Sequence, residues 1–151
     1  MEKSQQLEKF LKELFSLAKF KIEEVRIEES REGIAININL EEAGVAIGRN
    51  GENLNCWQEI VEKWLEKINN FNYQKVFFDI NNYRLEHEQK LKELAQKAAR
   101  ECALYKKEIK LPIMTAYERK IIHSELSLRP DIYTESEGED PNRYVVIKPL
   151  D

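Results

Sequence analysis

The chain has only two cysteines and two histidines among 151 residues, and it lacks any long apolar run. Each shortage excludes something. Cys56 and Cys102 fall inside predicted helices at no metal-ligand spacing, which suits a reducing cytosol better than a disulfide framework. His87 and His123 accompany no Ser or Cys nucleophile motif and no phosphate loop with Gly-Lys-Ser/Thr, so enzymatic chemistry is not expected. No stretch approaches the roughly 18 to 20 apolar residues of a membrane helix. The opening MEKSQQLEKF has no secretory pattern. The expectation is a cytoplasmic protein without membrane insertion, metal or other cofactor. A positive total is missing too. Net charge is −4, with 11 Lys or Arg against 15 Asp or Glu in residues 1–82 and 13 against 13 in residues 83–151. Phosphate binding needs a local positive surface rather than a positive total, so a nucleic-acid partner is disfavoured without being excluded.

What is present suffices for one ordinary domain or two small ones, with 42% apolar residues for a core. Leu7, Phe10, Leu11, Leu14, Phe15 and Ala18 recur at helical spacing, with Ser4 as the expected N-cap. Lys21–Glu29 reads as a strand. Arg31-Glu32-Gly33 supplies a turn, and Ile34, Ile36, Ile38 and Leu40 alternate with polar or small residues, predicting a hairpin with one buried face. A short helix over Glu41–Ile47 leads into Gly48-Arg49-Asn50-Gly51. From Glu52 to about Ile68 a second amphipathic helix is expected to bury Leu54, Trp57, Val61, Trp64, Leu65 and Ile68, and Asn69-Asn70 ends it. Lys75–Ile80 is a strand with Val76, Phe78 and Ile80 on one face. Phe77, on the other, is expected to be covered by a neighbouring helix.

The glycine loop carries the chemistry of this half. Without a Cβ at Gly48 or Gly51 its backbone can approach another molecule closely. The helix that follows points its unpaired N–H groups and positive dipole end back at the loop. Arg49 adds a mobile positive charge, while Glu52 suits the helix start but opposes a phosphate, which predicts modest affinity. Alone, a GxxG tetrapeptide reads as a plain turn. The order helix, strand, strand, short helix, GxxG, helix, strand changes that reading, because over residues 1–82 it resembles the type II KH domain. The resemblance implies a three-stranded sheet with helices on one face. It also implies that Gly48, Arg49, Asn50 and Gly51 clamp the backbone of single-stranded nucleotides, with Asn53 and Leu54 lining the groove.

Asn81-Asn82 interrupts the pattern and marks a boundary, giving domains 1–82 and 83–151. Arg84–Tyr105 is a long helix with Leu91, Leu94, Ala95, Ala98, Cys102 and Tyr105 on one face, and Lys110–Met114 a short extended piece placed at an edge by Pro112. Thr115 caps a helix from Ala116 to about Leu126 in a capping box with Glu118. There Arg119 and His123 share a face. Residues 132–136 and 143–148 form a final hairpin around an acidic turn, which lacks the ligand spacing of a calcium loop.

Tyr117-Glu118-Arg119-Lys120-Ile121-Ile122-His123, followed by TESEGEDPNR and Val145-Val146-Ile147, resembles the small α+β domain named for its Arg-x-x-x-His motif. A KH domain joined to it through Asn-Asn-Tyr-Arg is similar to the Jag family of bacterial proteins, and the match covers essentially the whole chain. Many members carry an extra N-terminal domain ahead of the KH domain, whereas this sequence begins at the KH helix. The resemblance implies an α+β protein that binds single-stranded RNA, and single-stranded DNA as a further candidate, through the GxxG loop and a second face of Tyr117, Arg119, Lys120, His123 and Arg143. It implies a link to cell elongation or the envelope, with a small KH-domain protein or a second copy as partner. The alternative is an accessory factor of membrane-protein insertion with little RNA binding of its own.

Overall fold

The computed structural model describes residues 2–68 and 75–151, so the expected helix end at Asn69-Asn70 lies outside the described residues. Two compact units are present, Met1–Arg84 and Leu85–Asp151. In the first, helix α1 (Glu2–Leu17) is followed by strands β1 (Ile22–Glu29) and β2 (Ile34–Leu40). Next come a one-turn helix α2 (Gly44–Ile47), a 3₁₀ turn (Arg49–Gly51), helix α3 (Glu52–Lys67) and strand β3 (Val76–Ile80). The sheet order is β1-β2-β3, with β2 antiparallel to β1 and parallel to β3.

The alternation in β2 sends Ile34, Ile36, Ile38 and Leu40 inward. There they meet Leu7, Leu11 and Phe15 of α1, Leu54, Val61 and Leu65 of α3, and Phe78 and Ile80 of β3. These side chains are essentially dry, and a fully buried Leu or Phe stabilises by about 1.5–3 kcal/mol relative to exposure. Trp57 and Trp64 are only half-buried: Trp64 stacks on Phe10 at 4.2 Å between ring centroids, and Trp57 donates to the Ala46 carbonyl.

Four expectations need correction in this unit. Ser4 does not cap α1, which already runs from Glu2; its hydroxyl donates to Glu29 instead. The helix expected from Glu41 starts only at Gly44, because the Glu41 N–H is tied to the Lys21 carbonyl and keeps the chain on the sheet. Ile68 is half-buried past the end of α3. Phe77 is not covered by a helix: it is 54% exposed on the outer face of the sheet, since both helices pack on the opposite face.

Asn81 and Asn82 both adopt left-handed backbone (φ 52° and 55°), a conformation Asn tolerates better than most residues. The Asn81 side chain imitates a neighbouring strand, accepting from Leu40 N–H and donating to Leu40 C=O, while Asn82 accepts from the Asn37 side chain. Asp79 then accepts from the N–H of Arg84, which starts helix α4 (Tyr83–Tyr105).

In the second unit, α4 is followed by strand β4 (Ile109–Lys110), helix α5 (Ala116–Leu126) and strands β5 (Ile132–Glu137) and β6 (Tyr144–Pro149), in sheet order β4-β6-β5. Its core joins Leu91, Ala95, Ala98, Ala99 and Cys102 of α4 to Ile122 and Leu126 of α5 and to Val145 and Ile147 of β6. The small side chains of α4 let the sheet approach closely. Tyr105, expected on the buried face, is exposed in the last turn of α4.

Candidate nucleic-acid interface

The glycine loop is shaped by backbone that only glycine adopts easily. Gly48 has φ 75° and ψ 178°, a region essentially restricted to glycine, and a Cβ there would stand 2.8 Å from the Asn53 side chain. Gly51 is left-handed (φ 77°) and its Cβ would meet the Tyr83 ring at 3.2 Å. Asn50 between them is also left-handed. Asn53 donates to the Val45 carbonyl at 2.8 Å, locking α2 to α3 across the loop. The result is a rigid turn with Arg49 and Asn50 exposed. Neither of those side chains has a bonding partner among the described residues. Gly51 is the N-cap of α3, with no side-chain cap bond; the Tyr83 ring lies against it, and the Glu52 N–H is bonded to the Arg49 carbonyl.

The second set of residues is held quite differently. Thr115 and Glu118 form a complete capping box, and Glu118 also contacts the His87 ring at 2.6 Å. Arg119, expected to offer its guanidinium outward, is 7% exposed. Its Nη1 donates to the Met114 carbonyl at 2.8 Å and approaches Asp140 at 3.5 Å. His123 is half-buried, with Nδ1 2.7 Å from the Thr134 hydroxyl and Nε2 2.8 Å from the Ser136 hydroxyl. A neutral imidazole donates at one nitrogen and accepts at the other. Burial holds its pKa below the ordinary value, helped by the charges of Arg119 and Arg143. Thr134, Ser136 and Asp140 thus serve Arg119 and His123 as internal partners. Sequence reasoning missed that role, although Thr134 and Ser136 alternate on one strand face.

Tyr117 is 65% exposed and Lys120 is exposed, three residues apart on α5. Arg143 is half-buried, and its Nε is buried without an acceptor among the described residues. On the sheet's other side Lys148 bridges Glu135 at 2.7 Å and Glu137 at 3.3 Å, and these carboxylates hold its pKa well above the ordinary lysine value. That network is closed on itself. Among the described residues no group of His, Cys, Asp and Glu could hold a metal ion, and no helix is long and apolar enough to cross a membrane.

Comparison with known sequences matches residues 6–83 to the KH domain and residues 89–149 to the R-three-H domain. A protein of Bacillus subtilis (strain 168) named RNA-binding protein KhpB is 36% identical over 126 residues, covering 82% of this chain and 60% of its own length. One of the same name from Clostridium symbiosum is 30% identical over 139 residues, covering 91% and 62%, and one from Lactiplantibacillus plantarum is 33% identical over 112 residues, covering 74% and 34%. The chain spans about three fifths of the first two relatives' length.

Proposed function

Because the chain belongs to the KH-domain family, carries that domain ahead of an R-three-H domain and is similar to proteins named RNA-binding protein KhpB, we propose that it binds single-stranded RNA. Both domains are non-enzymatic binding modules. The grip is assigned to Gly48, Arg49, Asn50 and Gly51, with Asn53 bracing the loop, in a domain ending after Asn82. One observation carries this reading: an exposed basic loop of fixed shape stands in front of a helix start that no side chain caps. A phosphate there meets the helix dipole and Arg49 together, opposed by the Glu52 carboxylate in the first turn. Tyr117, Lys120 and Arg143 add a second contact surface in the domain from 83 onward. Binding through phosphates is salt-dependent, so titration of a short single-stranded RNA over a salt series tests the reading. Affinity should fall steadily as salt rises. Absence of binding at low salt would refute it. A DNA strand of the same sequence, run alongside, shows whether the 2′-hydroxyl is read.

A cytoplasmic role in post-transcriptional control, linked to cell elongation or the envelope, follows from the same reading. A second reading, a protein-partner role, has its own support in the first unit. The stacked Phe10 and Trp64 rings lie beside Ile60, which is exposed, a surface suited to a small KH-domain protein or a second copy. Self-association that is lost when Ile60 is changed, with RNA binding at low salt absent in the parent, would favour it.

A further inference from the structure

The motif singles out two basic residues in the second unit, but a third stands beside them under different constraints. Arg143 precedes β6, and its carbonyl accepts from the Met114 N–H at 3.1 Å. Arg119 donates to the carbonyl of the same Met114. The two arginines therefore meet at one residue, just ahead of the capped start of α5. His123 feels the charge of both. The carboxylate paired with this group among the described residues is Asp140, and it faces Arg119. Arg143 has no ion pair there, and its buried Nε has no acceptor. A buried donor without an acceptor destabilises a fold, so in a native protein it calls for a reason. Lys120, exposed and three residues before His123 on α5, adds a second uncompensated charge on a neighbouring position.

We propose that Arg143 is the phosphate-binding residue of the second unit, seconded by Lys120, and that Arg119 and His123 are posts holding the hairpin on which it stands. The ligand is the backbone phosphate of single-stranded nucleic acid, which a guanidinium receives with two parallel N–H donors. Tyr117, exposed three residues before Lys120, offers a ring for a base. The inference rests on the RNA-binding reading above.

The test uses the full chain and a labelled oligouridine strand across a salt series, with thermal unfolding of every variant. Arg143→Gln should bind roughly fivefold to tenfold more weakly at low salt and flatten the salt slope by about 0.7. Its unfolding midpoint should stay level or rise, because the orphan donor is gone. Arg143→Lys should restore the slope but not the full affinity, since the charge returns without the fork. If Arg143→Gln keeps the parent's affinity and slope while the double variant Arg49→Asp, Asn50→Asp loses binding, Arg143 is an ordinary surface side chain and the inference fails alone. A lowered midpoint in Arg143→Gln that Arg143→Lys repairs makes Arg143 structural and also overturns it. If neither variant changes binding, the assignment of the grip to the glycine loop fails together with the inference, and if the parent itself does not bind at low salt the RNA reading fails.

Discussion

Helices α3 and α5 both begin beside a basic motif, yet one start has no side-chain cap and the other a complete capping box. Ahead of α3 stand Gly51, with no side-chain cap, and an exposed Arg49. Ahead of α5 stand Thr115 and Glu118, which satisfy each other's backbone, and a buried Arg119 bonded to Met114. A good side-chain cap contributes about 1 kcal/mol, so α5 gains stability from a device that α3 lacks. The difference teaches that a motif can persist for two unlike reasons. In the first unit Arg49 and Asn50 face outward with no internal bond among the described residues. In the second Arg119 and His123 fasten a hairpin, and beside them stand the exposed Lys120 and the half-buried Arg143.

The comparison can be broken hardest at Arg119. Arg119→Ala removes a charge-assisted bond to a buried carbonyl and should lower stability by about 2–3 kcal/mol. Thermal unfolding followed by circular dichroism checks it; a parent-like midpoint would remove the contrast between the units. Next comes Gly48→Ala, which forces a Cβ into backbone that glycine alone adopts, 2.8 Å from Asn53. A loss of about 1–3 kcal/mol in urea unfolding is expected, together with weaker RNA binding. Full tolerance would mean the loop is soft rather than preshaped.

Acid sharpens the contrast less strongly. The folded pKa of His123 lies below its ordinary value because burial disfavours the charged ring. The unfolded chain therefore takes up the proton first, and His123's contribution is present above about pH 6.5 and lost as pH falls through its folded pKa. Comparing the stability–pH curves of the parent and His123→Asn isolates this part, since other titrating groups are common to both. Parallel curves between pH 5 and 7 would show that the ring is not held neutral. The smallest effect belongs to Phe77→Thr, expected within about 0.5 kcal/mol of the parent because the ring is largely exposed. A larger loss would mean that the outer sheet face is covered.

Periodicity made the α+β order, the β1–β2 hairpin and the capping box of α5 legible, because spacing reports which residues share a face. It does not report depth. Arg119 and Lys120 are neighbours, yet one is buried and the other exposed. What decides this is the loop carrying Asp140, distant in sequence. The same limit hid the partners of His123, which emerge only once β5 lies over α5. Phe77 was misplaced because alternation identifies two faces of a strand without saying which is covered. The glycine loop was readable because its need is local: left-handed backbone at Gly51, a glycine-only conformation at Gly48 and a helix immediately after.

The account stands or falls on where RNA is gripped, and one titration addresses that directly. Single-stranded RNA is titrated at low salt into the parent and into the double variant Arg49→Asp, Asn50→Asp, whose side chains are exposed and hold no internal bond among the described residues. The expected result is affinity at least about tenfold lower with an unchanged unfolding midpoint. Equal affinity in the two proteins would contradict the account and move the binding surface away from the glycine loop.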